Sequence, residues 1–183
     1  MRRIFLVLLG VLALTSALVA TTVKYSYRAT ATSMTVTALN SLANSTSQST
    51  GIWGSAYVDN TMNLDLDEQV TIQITTGSSG VNSTGTFVVY AYGCVGGTTT
   101  CTDGVTGTQG TQTLTNPTNL NKLQACNAVA TSTTYTCGPF SIANSFGGTL
   151  PARWGVVIQN LTGAALASSG NAVYYDSIQL TNQ

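Results

Sequence analysis

The chain has 183 residues, of which 43% are hydrophobic and only 7% charged, with no histidine and a formal net charge of zero. That length suits one domain with a sizeable core plus an N-terminal extra, and the apolar content excludes disorder driven by charge. The charge balance, falling to −2 if Arg2 and Arg3 are removed (four basic against six acidic residues), excludes nucleic-acid binding through phosphates, which needs clustered Lys and Arg.

Residues 1–20 begin with Arg2 and Arg3, continue as an apolar run and end in small residues at Ser16, Ala17 and Ala20. This is the layout of a secretory signal peptide, cleaved after Ala17 or Ala20. A retained N-terminal apolar helix is the alternative, since 4–20 sits at the lower length limit for spanning a membrane. Residues 21–183 then form a single domain, and contact with a membrane is expected only if the segment is kept.

In the mature part, 21–31 alternates Val23, Tyr25, Tyr27 and Ala29 against polar residues, which predicts a half-buried strand. Thr37 precedes Leu39, Leu42 and Ala43 at helical spacing, which predicts one short capped helix. A Ser/Thr/Gln-rich loop follows over 44–54, with Ile52 and Trp53 turned inward. The alternation Met62, Leu64, Leu66, Val70, Ile72, Ile74 predicts one long strand, or two broken near Asp67 and Glu68. A turn at 77–85 leads to a strand at 86–92 with aromatic residues on both faces. The tract 93–118 is glycine- and threonine-rich and irregular, with a short strand near 111–115. Strands at 120–130 and 134–142 are expected to form a hairpin. The densest apolar run, 154–158, is β-branched and bounded by breakers, so it predicts a central strand buried on both faces. The last strand spans 172–180. About eight short strands without intervening helices predict an all-β fold, an antiparallel β-sandwich or jelly roll.

The four cysteines agree with export. Cys94 and Cys101 flank a glycine bend, and Cys126 and Cys137 lie equidistant from a turn near Ser132, so the pairs 94–101 and 126–137 are expected. Zinc is the rival reading, weakened by the spacing and by the missing histidine.

Candidate chemistry is sparse. Asp65 and Asp67 share one face by strand spacing, as a carboxylate pair for glycoside hydrolysis would need, but a solvated strand end explains them as well. Asp59, Asn63, Asp65 and Asp67 lack the glycine and closing glutamate of a calcium loop. A Ser-Lys arrangement would have to use Lys24 or Lys122. The glycine loops at 93–97 and 104–110 precede no helix and do not read as phosphate cradles. Tyr90, Tyr92, Tyr174 and Tyr175 could stack on sugar rings, or simply pack across strands. Asn44, Asn82 and Asn160 each begin an Asn-x-Ser/Thr glycosylation acceptor in an expected turn. No catalytic residue, cofactor or metal is expected.

The segments "TALNSLAN" (37–44), "VDNTMNLDLD" (58–67) and "VVYAYG" (88–93) are familiar, and so is the order Gly-Pro-Phe, Phe-Gly-Gly, Leu-Pro, Trp-Gly, Asn-x-Thr-Gly-Ala-Ala-Leu within 134–175. Over about residues 21–180 the chain resembles small virion structural proteins of tailed bacteriophages, of the capsid decoration, head-fibre or tail-associated kind. The resemblance implies a β-sandwich subunit without enzymatic chemistry, localised on a virion among other virion proteins. The leader and the disulfides support a second reading: an exported, extracellular surface filament or adhesin subunit, or a secreted carbohydrate-binding module facing a host-surface glycan. Either way a homo-oligomer is expected, because a surface poor in charge opposes side-by-side association little.

Overall fold

A computed structural model describes residues 23–28, 30–96 and 100–182. The expected N-terminal apolar helix over 1–20 lies outside them. Among the described residues no helix is long and apolar enough to cross a membrane.

The fold is all-β, two antiparallel sheets packed face to face. In the five-stranded sheet, β5 (Asp67–Thr75) lies between β9 (Thr134–Ser141) and β11 (Ala172–Asn182). Along the far side of β11 run β1 (Val23–Tyr27) and β2 (Thr32–Ser33), end to end. The six-stranded sheet runs β7 (Gly110–Thr111), β3 (Ile52–Gly54), β10 (Arg153–Leu161), β6 (Thr86–Cys94), β8 (Asn121–Asn127). Here β4 (Val58–Asp59) continues the β3 side of β10. Counting β1–β2 and β3–β4 as one strand each and omitting β7, the order is 1-8-3-6 in one sheet and 2-7-4-5 in the other. Every connection between these strands crosses to the opposite sheet except β6 to β8.

Side-chain periodicity explains the two sheets. Along β5, Glu68, Val70, Ile72 and Ile74 point inward while Gln69, Thr71 and Gln73 do not, the mark of a strand with one packed face. Along β10, Trp154 through Ile158 are all buried, as the unbroken apolar run requires. Trp154, Val156 and Ile158 join the core between the sheets with Trp53, Phe87, Ile72 and Leu39. Val157 faces the other way, into a second cluster with Ile52, Val88, Tyr90 and Tyr92. That cluster is roofed by Val105, Leu114 and Leu120 from the irregular tract between β6 and β8. The tract, irregular in the sequence, thus gives the central strands of the six-stranded sheet a second dry face.

Four expectations need correction. The segments at 120–130 and 134–142 do not form a hairpin: β8 pairs with β6 and β9 with β5, in different sheets. The Cys126–Cys137 disulfide is present but staples one sheet to the other across their shared core. Its short sequence separation of 11 fits a chain turning a corner as well as a hairpin. Residues 62–66 are not a strand either. Asn60 closes a loop by accepting from the Asp65 amide at 2.8 Å and donating to the Asp65 carbonyl at 3.0 Å. Leu64 sits at φ 52 within it, and Met62 is left 89% exposed. The capped helix after Thr37 is only a 3₁₀ turn, Thr37–Leu39, preceded by Val36 without a side-chain cap. It stops because the chain reverses at Ser41 (φ 59), whose amide donates to Ala167 O. Finally, a short helix not foreseen, α1 (Ile142–Ser145), is capped by Ser141 accepting from the Asn144 amide.

Candidate functional site

The candidate residues fall into two groups, those absorbed by the fold and those left on one outer face. The acids belong to the first group. Asp59 accepts from the Thr61 hydroxyl (2.6 Å), the Thr61 amide (2.9 Å) and Arg153 Nε (3.0 Å). These bonds, led by Thr61, hold its carboxyl below the usual range. Arg153 also lies over the Tyr57 ring, 4.7 Å from its centre. Asp65 is sealed beneath Arg28, whose Nη2 donates to both carboxylate oxygens at 3.0 and 3.2 Å. Asp67 accepts from the Glu68 amide (2.7 Å) and the Ala143 amide (2.8 Å), fixing the start of β5 to α1. Asp65 and Asp67 therefore hold different segments and do not face each other across a cleft. Asp103 holds the turn before β8 by accepting from Asn116 and Asn119. Among the described residues no three acids or cysteines gather as a metal would require.

One acid was missed. Glu68 is almost fully buried at the mouth of the core, and its Oε2 finds no hydrogen-bond partner among the described residues. Burial pushes its carboxyl up to about 7; Asp65 and Asp67 add to the rise, while Ser177 and Arg28 oppose it. The signal was present in the sequence, because Glu68 is in phase with Val70, Ile72 and Ile74.

The cysteines pair as expected, Cys94 with Cys101 and Cys126 with Cys137. Two of the three glycosylation acceptors are not available as accessible turns. Asn160 is wholly buried in β10: its Nδ2 donates to the carbonyls of Leu42, Ala43 and Ala164, and its Oδ1 accepts from the Thr162 amide and hydroxyl. Asn44 is half-buried, its Oδ1 accepting from the Gly163 amide at 2.8 Å. Asn82 is exposed. Lys24 and Lys122 belong to opposite sheets, on β1 and β8. Gly107, at φ 70, lets the chain pass against Tyr57 and accept its amide at 3.0 Å; it is a structural turn.

The four tyrosines read as a sugar platform are dispersed. Tyr90 and Tyr92 are buried under the roof of the six-stranded sheet, with Tyr92 donating to Ser55 O at 2.8 Å and its phenol pushed upward by burial. Tyr175 points inward and meets Trp154 edge-on, ring centres 5.5 Å apart. Only Tyr174 lies outside.

What remains exposed is gathered elsewhere. On the outer face of the five-stranded sheet, Tyr25 stands opposite Leu180 and Tyr27 opposite Ile178. Tyr25 is 77% and Tyr27 61% exposed. The alternation in 21–31 predicts a half-buried strand with these tyrosines on its apolar side; instead they face solvent, because Ser26 and not tyrosine takes the inner side. Tyr174, in register with Thr71, extends the same face, followed by Gln69, Gln73 and Thr136. The face is nearly free of charge, with Asp67 at its end and Asp176 within it. Its chemistry suits adhesion to another uncharged, partly aromatic surface. In comparisons with protein-family models, curated proteins and solved structures, nothing matches this chain.

Proposed function

We propose that this chain is a non-enzymatic structural subunit built on a jelly roll and displayed on a virion, as a capsid decoration, head-fibre or tail-associated protein. The observation that carries this reading is the strand order, 1-8-3-6 against 2-7-4-5. That is the jelly-roll order, an architecture used repeatedly for viral capsid and lectin domains. The uncovered, sparsely charged face of the five-stranded sheet supports it, since a subunit of an assembly needs a surface on which to be seated. The acids support it too, since Asp59, Asp65, Asp67 and Asp103 each hold a loop or a turn and Glu68 lies in the core. Purified particles examined by electron microscopy, with mass spectrometry of their proteins, test the reading. Stoichiometric presence of the chain is expected; its absence from particles and its recovery as a free, soluble protein would refute it.

A second reading has its own observation. Two disulfides are consistent with an exported or extracellular protein, and so with a cell-surface filament or adhesin subunit, or a secreted carbohydrate-binding module. The same experiment on shed filaments separates the two.

A further inference from the structure

The edges of the two sheets are not equally protected. In the six-stranded sheet, β7 and β4 are two residues each, and β8 carries a register shift against β6 between Val89 and Tyr90. In the five-stranded sheet, β9 carries a register shift against β5 and contains Pro139, which has no amide hydrogen to offer. The remaining edge, β1, pairs with β11 in unbroken register from Val23 to Tyr27, without proline or bulge. Among the described residues no strand lies on its other side.

The alternation of that ladder can be worked out. The Arg28 amide donates to Ser177 O at 3.0 Å, in the register that continues Tyr27 opposite Ile178. Residues 24, 26 and 28 therefore turn their backbone groups toward β11, and 23, 25 and 27 turn theirs outward.

We propose that β1 is a homotypic docking edge: two copies of this chain pair their β1 strands antiparallel about a two-fold axis at Tyr25. This register sets Tyr25 opposite Tyr25, and Val23 opposite Tyr27, so that all three outward residues exchange both backbone hydrogen bonds with the other copy. Lys24 falls opposite Ser26, so no like charges stand directly across the seam from each other. Tyr25 and Tyr27 of both copies then form one aromatic ribbon, and the two five-stranded sheets become continuous. The occupant is a second copy because the edge is self-complementary in its hydrogen-bonding pattern and in the pairing of its tyrosines, as an isologous contact must be. The proposal rests on the reading of the chain as an assembling subunit and names the contact.

Tyr25→Pro tests it, because the lost amide hydrogen points away from β11 and leaves the β1–β11 ladder intact. Tyr25→Lys/Tyr27→Lys is the second variant, replacing the ribbon by like charges while keeping every amide. The full chain is purified with its disulfides intact and its mass in solution is measured by light scattering across concentration, together with the thermal midpoint. The wild type is expected to be a dimer whose midpoint rises with concentration, and both variants monomers whose midpoints match that of the dilute wild type. A wild-type monomer at all concentrations overturns the proposal, as does a dimer that both variants preserve. Association through the apolar segment 4–20 would be such a case, since that segment is the same in all three proteins. Counting the chain in purified particles keeps the readings apart: a monomer still incorporated sinks the β1 contact and leaves the structural-subunit reading standing.

Discussion

The two sheets of this molecule are built from the same residue types and yet meet water differently. The central strands of the six-stranded sheet, β6 and β10, are dry on both sides, with the common core beneath them and the tract between β6 and β8 above them. The five-stranded sheet is dry on one side only, and its outer face carries threonine, glutamine and tyrosine. A sheet face is covered either by its own chain or by something else. Where the chain spends residues on a roof, the strands beneath can be apolar throughout; where it does not, they must alternate.

The comparison can be broken most severely at Trp154. It is fully buried, touches the core of both sheets and meets Tyr175. Trp154→Ala should cost about 3–5 kcal/mol as a large-to-small core substitution, read as a shift of the denaturant midpoint. A cost under about 1 kcal/mol would mean that the shared core does not hold the sheets together.

The pH dependence comes next. Glu68 has its folded value raised from 4.5 to about 7, so the folded state holds a proton that the unfolded chain releases. The stability from this group is fully present below about pH 4.5 and is lost as pH rises through 7. The loss is at most about 3–4 kcal/mol, at 1.36 kcal/mol per unit. The thermal midpoint should therefore fall between mildly acidic and mildly alkaline buffer, and Glu68→Gln should flatten the profile. A profile equally steep in that variant would place the titration elsewhere.

Removing the inter-sheet staple by replacing both Cys126 and Cys137 with alanine should cost on the order of 2–3 kcal/mol by loop-closure entropy. Urea unfolding of the double variant measures it. The smallest effects belong to the bare face: Thr71→Ser and Tyr174→Ser should each change stability by no more than about 0.5 kcal/mol. A Tyr174 substitution costing as much as one under the roof would erase the distinction between the two faces.

Much of this architecture was legible in the sequence. The β5 alternation and the continuous apolar run of β10 each have one physical meaning, and the structure has both. The disulfide pairs were legible from spacing, but the hairpin offered as their reason was not the fold. Spacing measures how far the chain travels between two cysteines and not whether it stays in one sheet. The run Met62, Leu64, Leu66 imitates a strand over too few residues to outweigh the Asn60 clip, which no periodicity reveals. Tyr90 and Tyr92 looked exposed because their cover comes from a few apolar residues, Val105, Leu114 and Leu120, scattered through glycine and threonine. Asn160 looked like a turn because of its Asn-Leu-Thr pattern, although its position two residues after Ile158, in phase with Trp154, Val156 and Ile158, already marked it as part of a buried strand.

The pairing of β1 with β11 sets Val23 opposite Asn182, so the polypeptide enters and leaves the domain at one corner. A tension applied between residues 23 and 182 would open the β1–β11 ladder one rung at a time, as a zipper opens. The disulfides, at Cys94–Cys101 and Cys126–Cys137, lie outside that ladder and would feel none of it. A domain of this shape can be tugged by its ends and lose a single strand while the rest of the sandwich stays closed.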